Sequence, residues 1–241
     1  MMIVQRILPH DPVQCLEFCQ RMLNILQDDL AVIITSEEAH FQLDGHVNNQ
    51  NCRFWAKENL KELHQKPLHS EKVTVWCAMS KFGVIGPYFF EDDRGMAVTV
   101  NAERYVAILQ EFFLPYMQEN QSDIQNVWFQ QDGATAHTAN VSMTVISEAF
   151  PGRLISRNGD IPWPPRSPDL SPCDFFLWGY LKSKVYHGRP RTIPELKEAI
   201  QSEIAAIPGA MLEKVMKSFS DRLQECIQFE GRHLSDIIFH T

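Results

Sequence analysis

A chain of 241 residues, 44% hydrophobic and 22% charged, is long enough for one substantial folded domain and ordinary in composition for a globular protein. No apolar run approaches the ~18 residues that cross a bilayer, and the first residues lack a secretory signal's long apolar core. The net charge of −8 argues against a uniformly basic nucleic-acid binder. These features predict a nuclear or cytoplasmic protein, not a secreted one, with no membrane partner. The charge is uneven along the chain: residues 1–150 hold 10 Lys and Arg against 19 Asp and Glu, and residues 151–241 hold 12 against 11. A local basic surface is therefore compatible with the acidic whole. Its candidates are Arg153, Arg157, Arg166, Lys182, Lys184, Arg189 and Arg191. An evenly solvated face would read the same way. The six cysteines, at 15, 19, 52, 77, 173 and 226, form no CxxC pair and read as reduced structural thiols.

In chain order, residues 11–28 have helical periodicity, with Asp11 as the expected N-cap and Pro12 at the first helical position. Ala31–Ile34 reads as a short buried strand ending at Thr35-Ser36-Glu37-Glu38. His40–Leu43 reads as a second, half-exposed strand closing at an Asp44-Gly45 turn. Residues 46–70 are polar and irregular. Strands follow at Lys72–Ala78 and Val84–Phe90, then a helix at Asn101–Met117 and a strand at Asn126–Gln131. A helix at Thr138–Phe150 and a short strand at Arg153–Ser156 precede the proline-rich stretch Gly159–Pro172. Three helices close the chain, at Asp174–Val185, Pro194–Ile207 and Met211–Phe229. The order predicts an α/β fold, a mixed sheet with helices on its faces.

Two acidic motifs carry the chemistry. WFQQDGATAH places Asp132 directly after a strand, where the sheet fixes the backbone of a carboxylate ligand. Asp132-Gly133 equally suits a turn in which the aspartate bonds its own backbone. SPDLSPCDFFLWGYLK places Asp174 at the start of a helix, where it suits either a ligand or a cap. Asp169, in the same motif, suits a smaller turn. The aromatic residues Phe175, Phe176, Trp178 and Tyr180 read as core. His137 reads as a partner of a nearby carboxylate.

The strings QQDGATAHTA and SPDLSPCDFFLWGYLK resemble the second and third acidic motifs of mariner-type DNA transposases. ITSEEAHFQLDGHVNNQNCRFW resembles the block around that family's first acid, and VTVWCAMSKFGVIGPYFF the strand pair after it. The resemblance implies an RNase H-like catalytic domain of the DDE/D class over residues 31–190. Residues 1–30 would be a linker-helix region and residues 191–241 a helical C-terminal extension. It implies cut-and-paste chemistry: metal-dependent hydrolysis and strand transfer of DNA phosphodiesters, with Mg2+ or Mn2+ in a two-metal site. Asp132 matches the second acid. Asp174 matches the third better than Asp169, with 41 residues between Asp132 and Asp174.

The first acid departs from the pattern. The family has an aspartate just before a glutamate, whereas this chain reads Ser36-Glu37-Glu38. Glu37 keeps the charge and lengthens the side chain by one C–C bond, about 1.5 Å. That step is large against metal–oxygen bonds of about 2 Å, and impaired catalysis is expected. Glu38, His137 and Asp169 are candidates for orienting the ligands. The sequence begins near the linker helix, so the family's N-terminal helix-turn-helix modules are expected to be missing, and DNA binding to be weak and non-specific. A homodimer is a further expectation. The alternative is a repurposed, non-catalytic interaction or dimerisation domain.

Overall fold

The structure, a computed structural model, describes residues 10–45, 71–120 and 124–231. Six strands form one sheet in the order β3-β2-β1-β4-β5-β6. They are β1 (Val32–Gln42), β2 (Lys72–Ser80), β3 (Gly83–Phe89), β4 (Val127–Gln130), β5 (Leu154–Ser156) and β6 (Ile161–Pro162). β1, β2 and β3 are antiparallel neighbours, while β4 runs parallel to β1 and begins a parallel half with β5 and β6. This is the mixed sheet flanked by helices that the order of elements predicts.

The helices are α1 (Asp11–Leu26), α2 (Ala102–Ile108), α3 (Leu114–Asn120), α4 (Thr135–Thr138), α5 (Asn140–Ala149), α6 (Trp178–Val185), α7 (Ile193–Ala205) and α8 (Gly209–Gln228). Strand alternation sends apolar residues to both faces of the sheet. On one face Ala39, Phe41, Val73, Val75, Cys77 and Met79 pack against α6, α7 and α8. On the other, Ile34, Trp76, Ala78, Val127 and Phe129 meet α2, α5 and the turn Leu109–Phe113. A third cluster joins α1 and α8 to Ile33, Ile155 and Trp163. Residues 191–228 are thus built into the same core as the sheet.

Several expectations need correction. The two strands foreseen at 31–34 and 40–43 are one: β1 pairs with β2 from Thr35–Met79 to Gln42–Lys72 without a break. Glu37 and Glu38 therefore lie within a strand and not after one, because the polar run Thr35–Glu38 is paired on its β2 side. The foreseen turn is present, with Gly45 at φ +71 donating to the Gln42 carbonyl at 3.1 Å. The helix at 101–117 contains a π-helical turn, Leu109–Phe113, between α2 and α3. The helix foreseen at 138–150 begins earlier and breaks at Ala139, whose extended ψ of 143 separates α4 from α5.

Asp11 is not the cap of α1. His10 holds that position without a side-chain bond, and the buried Asp11 carboxylate instead accepts from Arg166 Nε at 2.9 Å and Nη2 at 2.6 Å. Arg166 reaches it from a left-handed backbone conformation, φ 57. The proline-rich stretch is also more ordered than its composition suggests. Asp160 accepts from the Leu154 N–H at 2.9 Å, and Trp163 N–H donates to Ser156 O at 2.9 Å. A Cβ at Gly159 would lie 2.5 Å from the Leu154 carbonyl, so only glycine allows that close return.

Candidate metal-binding acidic centre

Three separate segments bring the acids of the two motifs and of Ser36-Glu37-Glu38 together near the C-terminal end of β4. β1 and β4 are parallel and in register through Thr35–Gln130. Two residues beyond that pair on each chain stand Glu37 and Asp132, so parallel alternation aims both to the same face. Asp174 arrives from the π-helical turn Cys173–Leu177 that leads into α6. That turn is fixed by Cys173, whose buried thiol lies 3.4 Å from Thr35 Oγ1 and donates to Thr35 O at 3.5 Å. The residue before the third acid is thereby tied to β1 two positions before the first. Asp174 is in the first turn, with Pro172 at the cap position, so it is not the cap itself.

The electrostatics agree with this convergence. Burial, then the charges of Asp132, Asp174 and Glu38, hold the Glu37 carboxyl well above the usual range. Asp174 is pushed up to about 6 by crowding in the cleft and by Asp132, against the opposing hydrogen bond of Ser171. Asp132 differs. Burial would raise its pKa, but the hydrogen bond and charge of His137 and the Ala134 N–H (2.8 Å) outweigh that and lower it.

His137 is the hinge of the other half of the centre. Its Nδ1 lies 2.5 Å from Asp132 Oδ1 and its Nε2 3.1 Å from Glu38 Oε1. Burial opposes its charge, yet Glu38 and the Asp132 bond raise its pKa to about 10. The imidazolium therefore donates from both nitrogens, joining Glu38, on the opposite face of β1 from Glu37, to Asp132. Behind it lies a buried polar network that motif reading missed. Tyr105 donates to Gln131 Oε1 at 2.6 Å, and Gln131 Nε2 donates to His137 O and Ser156 Oγ, each at 3.1 Å. The Tyr105 ring stands 4.3 Å from the His137 ring. The one signal available was polarity itself, a second glutamine in a strand otherwise bound for the core.

Asp132 and Asp174 open onto a cleft of about 850 Å³ whose far wall is the segment 157–168, with α1 at its side. Of the seven basic candidates, Arg157 and Arg166 line this cleft, and Lys182 lies near enough to Asp174 for their charges to interact. Lys184 instead stacks over Tyr180 at 5.8 Å, and Arg153, Arg189 and Arg191 are not on the cleft wall. His10 and Arg21 of α1 do line it, and were invisible in sequence because nothing there fixes where α1 docks. Asp169 is buried against α8, where its carbonyl accepts from Arg222 at 3.2 Å.

The donor set suits a hard divalent cation. It is three carboxylates, two of them made reluctant to ionise by burial and by each other, a penalty that a cation would relieve. Among the described residues no trio of carboxylates has donor atoms all within 4.8 Å.

The chain is 26% identical over 226 residues to the Tc3 transposase of Caenorhabditis elegans, a match covering 91% of this chain and 62% of that relative. It therefore spans less than two thirds of the curated relative's length. The catalytic domain of the Mos1 mariner transposase superposes with a TM-score of 0.74 at 17% identity, covering 97% of this chain and 100% of that one. The Mos1 mariner paired-end complex with Mn gives a TM-score of 0.74 at 17% identity, over 97% of this chain and 66% of that one. No protein-family profile matches. The fold is RNase H-like; in sequence the chain is similar to the Tc3 transposase and in architecture to the Mos1 mariner catalytic domain.

Proposed function

We propose that this chain, akin in sequence to the Tc3 transposase and in fold to that of Mos1, is a transposase-type catalytic domain acting on DNA phosphodiesters. The reaction class is hydrolysis that frees a 3′-OH, followed by attack of that hydroxyl on a second phosphodiester. The observation that carries this reading is the convergence of Glu37, Asp132 and Asp174, from β1, the end of β4 and the turn before α6, near the C-terminal end of β4 beside an open cleft.

In this reading Glu37, Asp132 and Asp174 hold the metal. A divalent ion such as Mg2+ or Mn2+ would supply Lewis-acid polarisation of the phosphate and acidify a bound water. The protein's own part is orientation and charge. His137 and the Ala134 N–H fix the rotamer of Asp132, and Glu38 anchors His137 in turn. Arg157 and Arg166 supply positive charge along the cleft for the DNA backbone. Glu37 slows the reaction, because its extra carbon displaces the first carboxylate by more than such geometry tolerates.

The test is Mn2+-dependent nicking of supercoiled DNA by the purified protein at low salt. Nicking that disappears in Asp132→Asn, with the fold unchanged by circular dichroism, is the expected outcome. Nicking that survives this substitution would refute the assignment. A protein that neither nicks nor binds DNA or Mn2+ would point to the interaction domain instead.

A further inference from the structure

A second group of like side chains lies outside the acidic centre. α1 carries Cys15 and Cys19 one turn apart on its buried face, and α8 brings Cys226 against them. Among the described residues this is the one trio of His, Cys, Asp or Glu whose donor atoms all lie within 4.8 Å of one another. The Cys15 and Cys226 sulfurs are 3.3 Å apart, and no disulfide joins them. Sulfurs bound to one tetrahedral ion at about 2.3 Å stand roughly 3.8 Å from each other, so small side-chain adjustments would seat an ion. The other described cysteines behave differently. Cys77 packs among apolar side chains, and Cys173 bonds to Thr35. Buried cysteine is commonly just a small apolar filler. Filler does not require three sulfurs from two helices to face one point.

We propose that Cys15, Cys19 and Cys226 bind one thiophilic d10 cation per chain, independently of the acidic centre. No redox step is involved: three S–H bonds break, three metal–sulfur bonds form, and three protons pass to solvent. Thiolates prefer zinc or monovalent copper to the hard ions that suit carboxylates. Arg222, one turn before Cys226 and itself buried, lies on the same face of α8, where its charge offsets those of Asp169 and Glu225 beside the thiols. The Ser167 hydroxyl, 4.0 Å from the Cys15 sulfur, is an oxygen within reach of a fourth bond. The ion would clamp α1 to α8 beneath the segment that leads to Asp174.

The experiment titrates the reduced, chelator-washed full chain with Zn2+, with Cu+, and with Co2+ as a spectroscopic stand-in. One equivalent of Co2+ should give a sulfur-to-metal charge-transfer band that Zn2+ or Cu+ bleaches, and the more effective competitor identifies the native ion. The band should be lost in Cys19→Ser and in Cys226→Ser and kept in Cys77→Ser and Asp132→Asn. Should the cluster variants not fold, X-ray absorption of the loaded wild-type protein should show three sulfur neighbours at about 2.3 Å. A band that survives Cys19→Ser, or no sulfur-bound metal in either measurement, overturns the proposal. Loss of the band with nicking intact, or the reverse, separates this site's failure from that of the acidic centre.

Discussion

The acidic centre and the thiol cluster are each a gathering of three anionic or potentially anionic groups, and they are built in opposite ways. The carboxylates come from β1, the end of β4 and the turn before α6, and two of them, Asp132 and Asp174, line an open cleft. The thiols come from two helices and are sealed, with Cys19 at 0% and Cys226 at 1% exposure. An open site can exchange solvent and substrate but must be held by a rigid frame. A sealed one can only stiffen what surrounds it. The sheet is the frame in the first case, and α1 and α8 are the elements stiffened in the second.

The contrast can be sharpened by experiment. The largest expected effect is at Glu37: shortening it with Glu37→Asp should raise metal-dependent nicking by about 100-fold, the usual cost of a misplacement near 1 Å. An unchanged rate would show that the strand tolerates the longer side chain. Next is Arg166→Ala, which takes from the buried Asp11 carboxylate its bidentate guanidinium partner. Chemical denaturation should show a loss of about 3 kcal/mol, the low end for breaking a buried pair, since Arg166 is 27% exposed. Gln131→Leu removes the core of the network behind His137 and should cost about 2 kcal/mol by the same measurement, with nicking falling as Asp132 loses its support.

The smallest effect concerns pH. Asp174 titrates at about 6 in the fold, against 3.8 as its ordinary value, so the folded state holds the proton more tightly than the unfolded one. Metal-free protein should therefore lose thermal stability as pH rises from 4 through 6, and Mn2+ at pH 7 should restore it. A flat profile across that window would place Asp174 outside the cluster.

Much of this was legible in the chain. Short apolar runs gave β2, β3 and β4 to within two residues, and the spans read for α7 and α8 end within two residues of theirs. Asp132 and Asp174 stood out because each sits where an element starts or stops. The strand through Glu37 was misread because polar residues on an inner strand look like a loop until their pairing is known. The Asp11–Arg166 pair and the thiol trio were hidden for another reason. They join residues 155 and 211 positions apart, and local periodicity says nothing about which helices dock. Side-chain polarity flagged His137, yet only geometry shows that it answers to two carboxylates at once.

The continuity of β1 also bears on motion. It is a long inner strand, antiparallel to β2 on one side and parallel to β4 on the other, so its amides should be among the last to exchange with deuterated solvent. The opposite wall of the cleft hangs on two short strands of three and two residues, and its amides should exchange far sooner. The first carboxylate is thus carried by an inner strand, while the cleft that Asp132 and Asp174 line has a wall expected to open early. Any rearrangement that admits a long polymer to the cleft must be made by the wall.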